Sequence, residues 1–252
     1  MKTFVNYIVV IALSLIGMVP CVSAQDSSGT EGGRSVYRQS WTMGFKVHTS
    51  GIGGEFRREK FVGAKNKNFW NIDISNIKHP KEQKSFGQGQ DENNLVYGKL
   101  NSFYQFRAGI GKQKVAFEKL VIRGVQISTI YQFGLAAAWL KPVYVEVLSG
   151  NINENSTRSS ERYNPYDHPY ERIISQEPWL RGVGESKFVP GATAKFALNF
   201  EFSPEDDEIK ALEIGTQIDG FTQPMPIMAF NRQYNIFFNV YVSFHFGAKS
   251  YL

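Results

Sequence analysis

Apolar residues recur at every second position in segment after segment of this chain, a period that fits strands and that a helix cannot sort onto two faces. In residues 40–50, Trp41, Met43, Phe45 and Val47 alternate with Thr42, Gly44, Lys46 and His48. The pattern returns in residues 68–78, where Trp70, Ile72 and Ile74 oppose Asn71, Asp73 and Ser75, and in 97–110, where Leu100, Tyr104, Phe106 and Ala108 oppose Lys99, Asn101, Gln105 and Arg107. It recurs over 125–137, 194–202, 212–219 and 238–246. An eighth segment, 53–61, is crowded with Glu55, Arg57, Arg58, Glu59 and Lys60 and completes an even count.

Eight alternating strands close either as a soluble lipocalin-like barrel, apolar inside, or as a membrane barrel, apolar outside. Connection lengths choose between them. With the N-terminus in the periplasm, the connections on that side (62–67, 111–119 and 204–208) are short, while those on the other side (79–96, 141–191 and 221–233) include two very long ones. This asymmetry predicts an all-β fold, an eight-stranded antiparallel up-and-down transmembrane β-barrel with short periplasmic turns and long extracellular loops.

Composition removes other classes. Despite 20 Phe, 12 Tyr and 4 Trp, the mean hydropathy is −0.29, and past the N-terminus no apolar run reaches the roughly 18 residues of a spanning helix. The formal charge of +5 is spread thinly, with no basic run of the kind that marks a nucleic-acid binder. At the start, Lys2, the apolar stretch from Phe4 to Met18 and Val22-Ser23-Ala24 have the layout of a signal peptide cut before Gln25. The expected organisation is therefore a signal peptide at 1–24, a flexible tail at 25–35 and the barrel at 36–252. Cys21, the single cysteine, leaves with the signal, so no thiol chemistry is expected.

The apolar faces carry no charge in mid-strand, whereas the opposite faces carry Lys46, Lys99, Arg107 and Lys195 against Asp73, Glu201, Glu213 and Asp219. An eight-stranded barrel is only wide enough for side chains to fill, so these residues are expected to form a paired polar plug in the lumen rather than a pore. Trp41, Trp70, Tyr104, Tyr131, Trp139 and Phe246 are expected to supply interfacial rings.

The stretches Ile77-Lys78-His79-Pro80-Lys81-Glu82, Tyr97-Gly98-Lys99-Leu100-Asn101 through Gly111, and Leu140-Lys141-Pro142-Val143-Tyr144 resemble those of small outer-membrane barrel proteins of Bacteroidota that lack an assigned activity. The resemblance implies a signal-bearing Gram-negative outer-membrane barrel, an accessory subunit of larger complexes for barrel assembly or type IX secretion, with no catalytic residues carried over. The ending departs from the common barrel signal, because Gly247-Ala248-Lys249-Ser250-Tyr251-Leu252 follows Phe246.

Three chemical readings compete with a purely structural one. His48 and Ser50, two residues apart on one strand with Glu55 beyond a short turn, have the spacing of an outer-membrane lipid A deacylase, but such residues are common at polar strand ends. His79, Asp167 and His168 could meet at a metal only if two loops fold together, and their spacing matches no established site. His245 reads as a satisfied barrel histidine, and Asn155-Ser156-Thr157 as a chance glycosylation pattern. No metal or other cofactor is expected.

The loop 141–191 is the sharper functional signal, since a connection of such length is usually functional or disordered. Residues 149–162 are rich in Ser and Asn and read as mobile; Tyr163, Tyr166, Tyr170 and Arg172 then concentrate the residue types that anchor interfaces. The expectation is a non-enzymatic integral outer-membrane protein in contact with lipid and lipopolysaccharide. Its extracellular loops would meet another outer-membrane or cell-surface protein, or cap their own barrel.

Overall fold

A computed structural model describes residues 39–63, 65–82, 96–119, 124–149, 157–168, 173–203 and 207–250. The expected signal peptide and tail, together with Tyr170, Arg172 and Asn155-Ser156, lie outside them.

Eleven strands are present among the described residues: β1 (Gln39–His48), β2 (Gly51–Phe61), β3 (Asn66–Ile77), β4 (Asn101–Phe117), β5 (Gln126–Pro142), β6 (Tyr144–Ser149), β7 (Thr157–Arg162), β8 (Ile173–Gln176), β9 (Lys187–Glu201), β10 (Glu208–Met225) and β11 (Tyr234–Ser250). Eight of them close a barrel in the order β1-β11-β10-β9-β5-β4-β3-β2, every neighbour antiparallel. The expected eight-stranded antiparallel barrel is thus the fold. We call the end that holds Gln39, Phe117 and Glu201 the lower end and the end with the long loops the upper one.

The barrel is inside out relative to a soluble domain. Trp41, Phe45, Ile72, Ile110, Phe133, Phe196, Ile214, Phe238, Val242 and Phe244 stand exposed, and Leu135 is 75% exposed, while Lys46, Glu55, Arg57, Asp73, Arg107, Lys195 and Glu213 are buried. Because successive side chains point to opposite faces, one register choice places all of the apolar set outside.

Several strands outrun their expected limits. β4 continues to Phe117 and β9 starts at Lys187, so 111–117 is strand rather than turn and the long upper connection shortens. The alternation fades at the upper ends because both faces are apolar there. Phe103, Ala138, Leu140, Val189, Phe221 and Met225 point inward and, with Val96, Ile227 and Met228 from the loops, form an apolar cluster inside the mouth. The rings of Phe103, Phe221 and Phe237 sit 5.2 to 6.0 Å apart at its centre. Strand β4, in turn, begins at Asn101 and not at Tyr97, because Gly98 takes φ +82° in a turn whose Lys99 amide donates to the Val96 carbonyl at 3.2 Å.

The long upper connection has structure of its own. β6, β7 and β8 make a three-stranded sheet in the order β7-β6-β8, with Val143, Val145, Val147, Tyr163 and Ile173 as its core. A Ser/Asn-rich stretch expected to be mobile therefore contains β7.

One glycine makes room for the lumen. A Cβ on Gly44 would lie 2.6 Å from the His245 ring, whereas one on Gly54 would meet nothing closer than 3.8 Å. Gly44→Val should displace that ring and cost about 1–3 kcal/mol, read as a lowered urea midpoint of the folded barrel. Gly54→Ala serves as the unchanged control.

Candidate functional site

The lumen is filled by an ion-paired network built from the inward faces of the barrel strands. β2 supplies its centre, since Glu55, Arg57 and Glu59 alternate inward while Phe56, Arg58 and Lys60 point out. Arg57 Nη2 donates to Glu55 at 2.7 Å and to Glu213 at 2.7 Å. Lys195 Nζ donates to both Glu55 oxygens at 2.8 and 2.9 Å and lies 3.4 Å from Glu213. Asn71 donates to Glu55 at 3.0 Å, and the Tyr241 hydroxyl donates to Glu213 at 2.5 Å.

Above this centre, Arg107 holds Asp219 with two bonds of 2.9 Å, the fork-to-fork geometry that strengthens guanidinium–carboxylate pairs. It also binds Asp73 at 2.5 Å, and Lys46 donates to Asp73 while standing 3.6 Å from Glu55. Lys46, Arg57, Arg107 and Lys195 thereby balance Glu55, Asp73, Glu213 and Asp219 in charge. At the lower rim, Lys67 binds Glu59 at 3.0 Å, and Lys249 binds Glu201 at 2.8 Å.

Of the expected plug residues, Lys46, Asp73, Arg107, Lys195, Glu213 and Asp219 are brought together in this network. Two are placed elsewhere. Lys99 sits above the strands, where it pairs with Glu82 and bridges to Met228, because the turn at Gly98 takes it off β4. Glu201 closes the lower rim rather than the centre. The sequence reading missed Glu55, Arg57 and Glu59, although their own alternation with Phe56, Arg58 and Lys60 was the available signal.

The lumen offers little space. Beneath the network a gap of about 10 Å³ lies among Thr42, Arg57, Glu59, Lys67, Gln113 and His245, and above it stands the apolar cluster of the mouth. Glu55, Glu213 and His245 bring one ligand atom each within 4.8 Å of one another. Arg57 and Lys195 already engage both carboxylates, so the donor set is neutralised and does not suit a divalent ion. His245 departs from expectation: neither ring nitrogen has a hydrogen-bond partner among the described residues, and Nε2 stands 3.5 Å from Glu213.

The His48 and Ser50 side chains do not bond each other. The Ser50 amide donates to His48 Nδ1 at 3.3 Å, but the Ser50 hydroxyl donates to Asn239 at 2.7 Å. Glu55 is committed to Arg57 and Lys195 and does not orient the imidazole. His168 Nδ1 accepts from the Asn164 amide at 3.1 Å and Nε2 meets Glu161 at 3.1 Å. His79 is occupied separately, its Nδ1 accepting from the Lys81 amide at 3.2 Å, and burial and Lys81 hold its pKa below the usual imidazole value.

The upper loops divide into residues that knit to the barrel and residues that face outward. Tyr163 is buried and its hydroxyl accepts from the Gly98 amide at 3.2 Å; burial, with Tyr97 beside it, pushes its pKa up to about 12. Trp179 lies on the barrel's outer wall against Tyr104 and Trp139, and its Nε1 donates to the Tyr104 hydroxyl at 2.8 Å. Tyr166, in contrast, is 82% exposed and meets the exposed Phe230 edge to face at 5.7 Å. Phe230 has φ +56°, a strained backbone region for a bulky residue. Of the expected interface residues among those described, then, Tyr163 is buried against the barrel and Tyr166 is exposed.

No protein-family model and no curated protein sequence matches the chain. Among solved structures, it is similar to Neisserial surface protein A (NspA), at 8% identity over 86% of this chain and 98% of that one, with a TM-score of 0.41. It is likewise similar to Ail, the attachment invasion locus protein of Yersinia pestis, in complex with the heparin analogue sucrose octasulfate, at 6% identity over 84% of this chain and 97% of that one, with a TM-score of 0.39.

Proposed function

We propose that this chain is an integral outer-membrane protein that works by contact, as a non-enzymatic structural or accessory subunit whose extracellular loops engage another envelope protein. The observation that carries the reading is the inverted barrel, with apolar side chains all round its wall and a buried, charge-balanced interior. In water such a wall would be an aggregation surface far larger than soluble monomers expose; in a bilayer it is the required lipid face. A lipocalin-like carrier needs the opposite, an apolar cavity inside. On this reading the short lower turns face the periplasm, the upper loops face outward into lipopolysaccharide, and the segment 1–24 directs export and is then removed.

The contact role rests on two supports. A lumen filled by ion pairs and closed by Phe103, Phe221 and Phe237 has no room to pass a solute, and the Tyr166–Phe230 pair presents two aromatic rings from separate loops, Phe230 from a strained backbone position at φ +56°. The resemblance to Bacteroidota barrels narrows the partner to complexes of barrel assembly or type IX secretion. A lipid A-modifying enzyme, the reading from another class, requires a relay between His48 and Ser50, and Ser50 is turned to Asn239.

The membrane part is tested by fractionation, by heat-modifiable migration in gels and by liposome conductance. The expected result is detergent-dependent extraction, a shifted folded band and no large steady current. Recovery without detergent would overturn it. For the contact part, Tyr166→Ala with Phe230→Ala should leave the folded band intact and abolish co-purification of the partner captured by the wild type, because exposed aromatic anchors carry about 2 kcal/mol or more each. Unchanged co-purification would reject this pair as the contact.

A further inference from the structure

We propose that the lower outer face of β2 to β5 is a binding site for an anionic phospholipid, an inference that rests on the membrane reading above. The strand register sets Lys60 beside Asn68, Asn68 beside Lys112 and Lys112 beside Tyr131. The adjoining row runs Arg58, Trp70, Ile110 and Phe133. These two outward rows line a recess of about 890 Å³, within the roughly 300–1,000 Å³ typical of ligand sites. One row is cationic and hydrogen-bonding, the other mainly apolar and aromatic, which matches a phosphate headgroup joined to an acyl chain.

Among the described residues, the charge on this sector is uncompensated. No Asp or Glu projects from the outward faces of β1 to β5, while Arg58, Lys60, Lys112 and Lys114 do. Arg58 donates only to the neutral Gln39, at 2.8 Å. Glu59, which also borders the recess, points inward and is spent on Lys67 and Ser40. Elsewhere on the lower wall, Lys210 is neutralised by Glu208 at 2.5 Å. Cations in the row of Tyr131, one row below Trp70, stand at the level where interfacial rings meet headgroups, so the phosphate would bridge Lys60 and Lys112 while a chain lies over Trp70, Ile110 and Phe133.

The test uses the full barrel, freed of lipid in a nonionic detergent and titrated with phosphatidylglycerol, phosphatidylcholine or inorganic phosphate, with retained lipid read by native mass spectrometry. Phosphatidylglycerol should be retained in preference to phosphatidylcholine, and inorganic phosphate should not displace it. Lys60→Gln with Lys112→Gln should weaken retention roughly tenfold or more, from the contribution of each cation near a charged lipid surface, while Lys210→Gln leaves it unchanged. All three changes lie on the outer wall, and heat-modifiable migration checks that each variant is folded. Equal retention of the two lipids, undiminished retention by the double variant, or full displacement by inorganic phosphate overturns the proposal. Failure of the membrane reading would instead show as a protein that stays dispersed without detergent, so the two failures are distinct.

Discussion

Replacing Glu55 with leucine should cost the barrel about 3–5 kcal/mol of unfolding free energy, the cost of removing one partner from a buried ion cluster. Glu55 accepts from Arg57 at 2.7 Å, from Lys195 at 2.8 Å and from Asn71 at 3.0 Å. Without it, Arg57 and Lys195 share Glu213, with Lys195 at 3.4 Å, and Glu59 stands no nearer than 4.0 Å to Arg57. Most of the cost is the burial of an unmatched positive charge, so adding Lys195→Met should recover a large part of it. Urea titration of protein folded into phospholipid vesicles, followed by tryptophan fluorescence, measures both variants. A single variant within about 1 kcal/mol of wild type, or a double variant less stable than the single, would show that the network does not hold the barrel.

The second large effect is on the outer wall. Ile214 stands exposed at mid-height of β10, paired to Val242 of β11 and Leu198 of β9. In a bilayer, Ile214→Arg should cost about 2–4 kcal/mol, and Phe202→Arg, near the lower rim, about 0–1 kcal/mol. In water an exposed position accepts such a change within about 0.5 kcal/mol. Vesicle-based unfolding of the two variants thus reads the depth of each position. Equal costs at Ile214 and Phe202 would contradict a membrane-spanning wall.

The strand faces were legible because period two survives wherever one face is lipid-like and the other polar, as in Trp41 to Val47 or Phe238 to Phe246. It failed where both faces are apolar. Val189, Phe221 and Met225 point into the mouth next to exposed Phe188, so neither the upper strand ends nor the seal could be read from alternation. At Lys99 an accidental alternation ran through a turn that only the positive φ of Gly98 reveals. The dense charge of β2 hid its own periodicity, since Arg58 and Lys60 face out beside Glu59. The charge balance of the lumen was legible in kind, from like numbers of cations and carboxylates, but which acid meets which base depends on the closure of the sheet. The β6-β7-β8 sheet left little trace because β7 is Thr-Arg-Ser-Ser-Glu-Arg, a polar strand paired along one edge.

The seam between β1 and β11 sets the order in which this molecule can come into being. Its two sides pair from Gln39 with Ser250 to His48 with Tyr241, and the Ser243 hydroxyl reaches the Phe45 carbonyl across 198 residues of sequence. A ribosome delivers one side of that seam long before the other, and the earlier strands would wait as an open sheet with two bare edges. Nothing short of the last strand completes the wall. The chain must therefore be kept from pairing with its neighbours until its synthesis is complete, and any product that stops before β11 is a candidate for degradation rather than a smaller barrel.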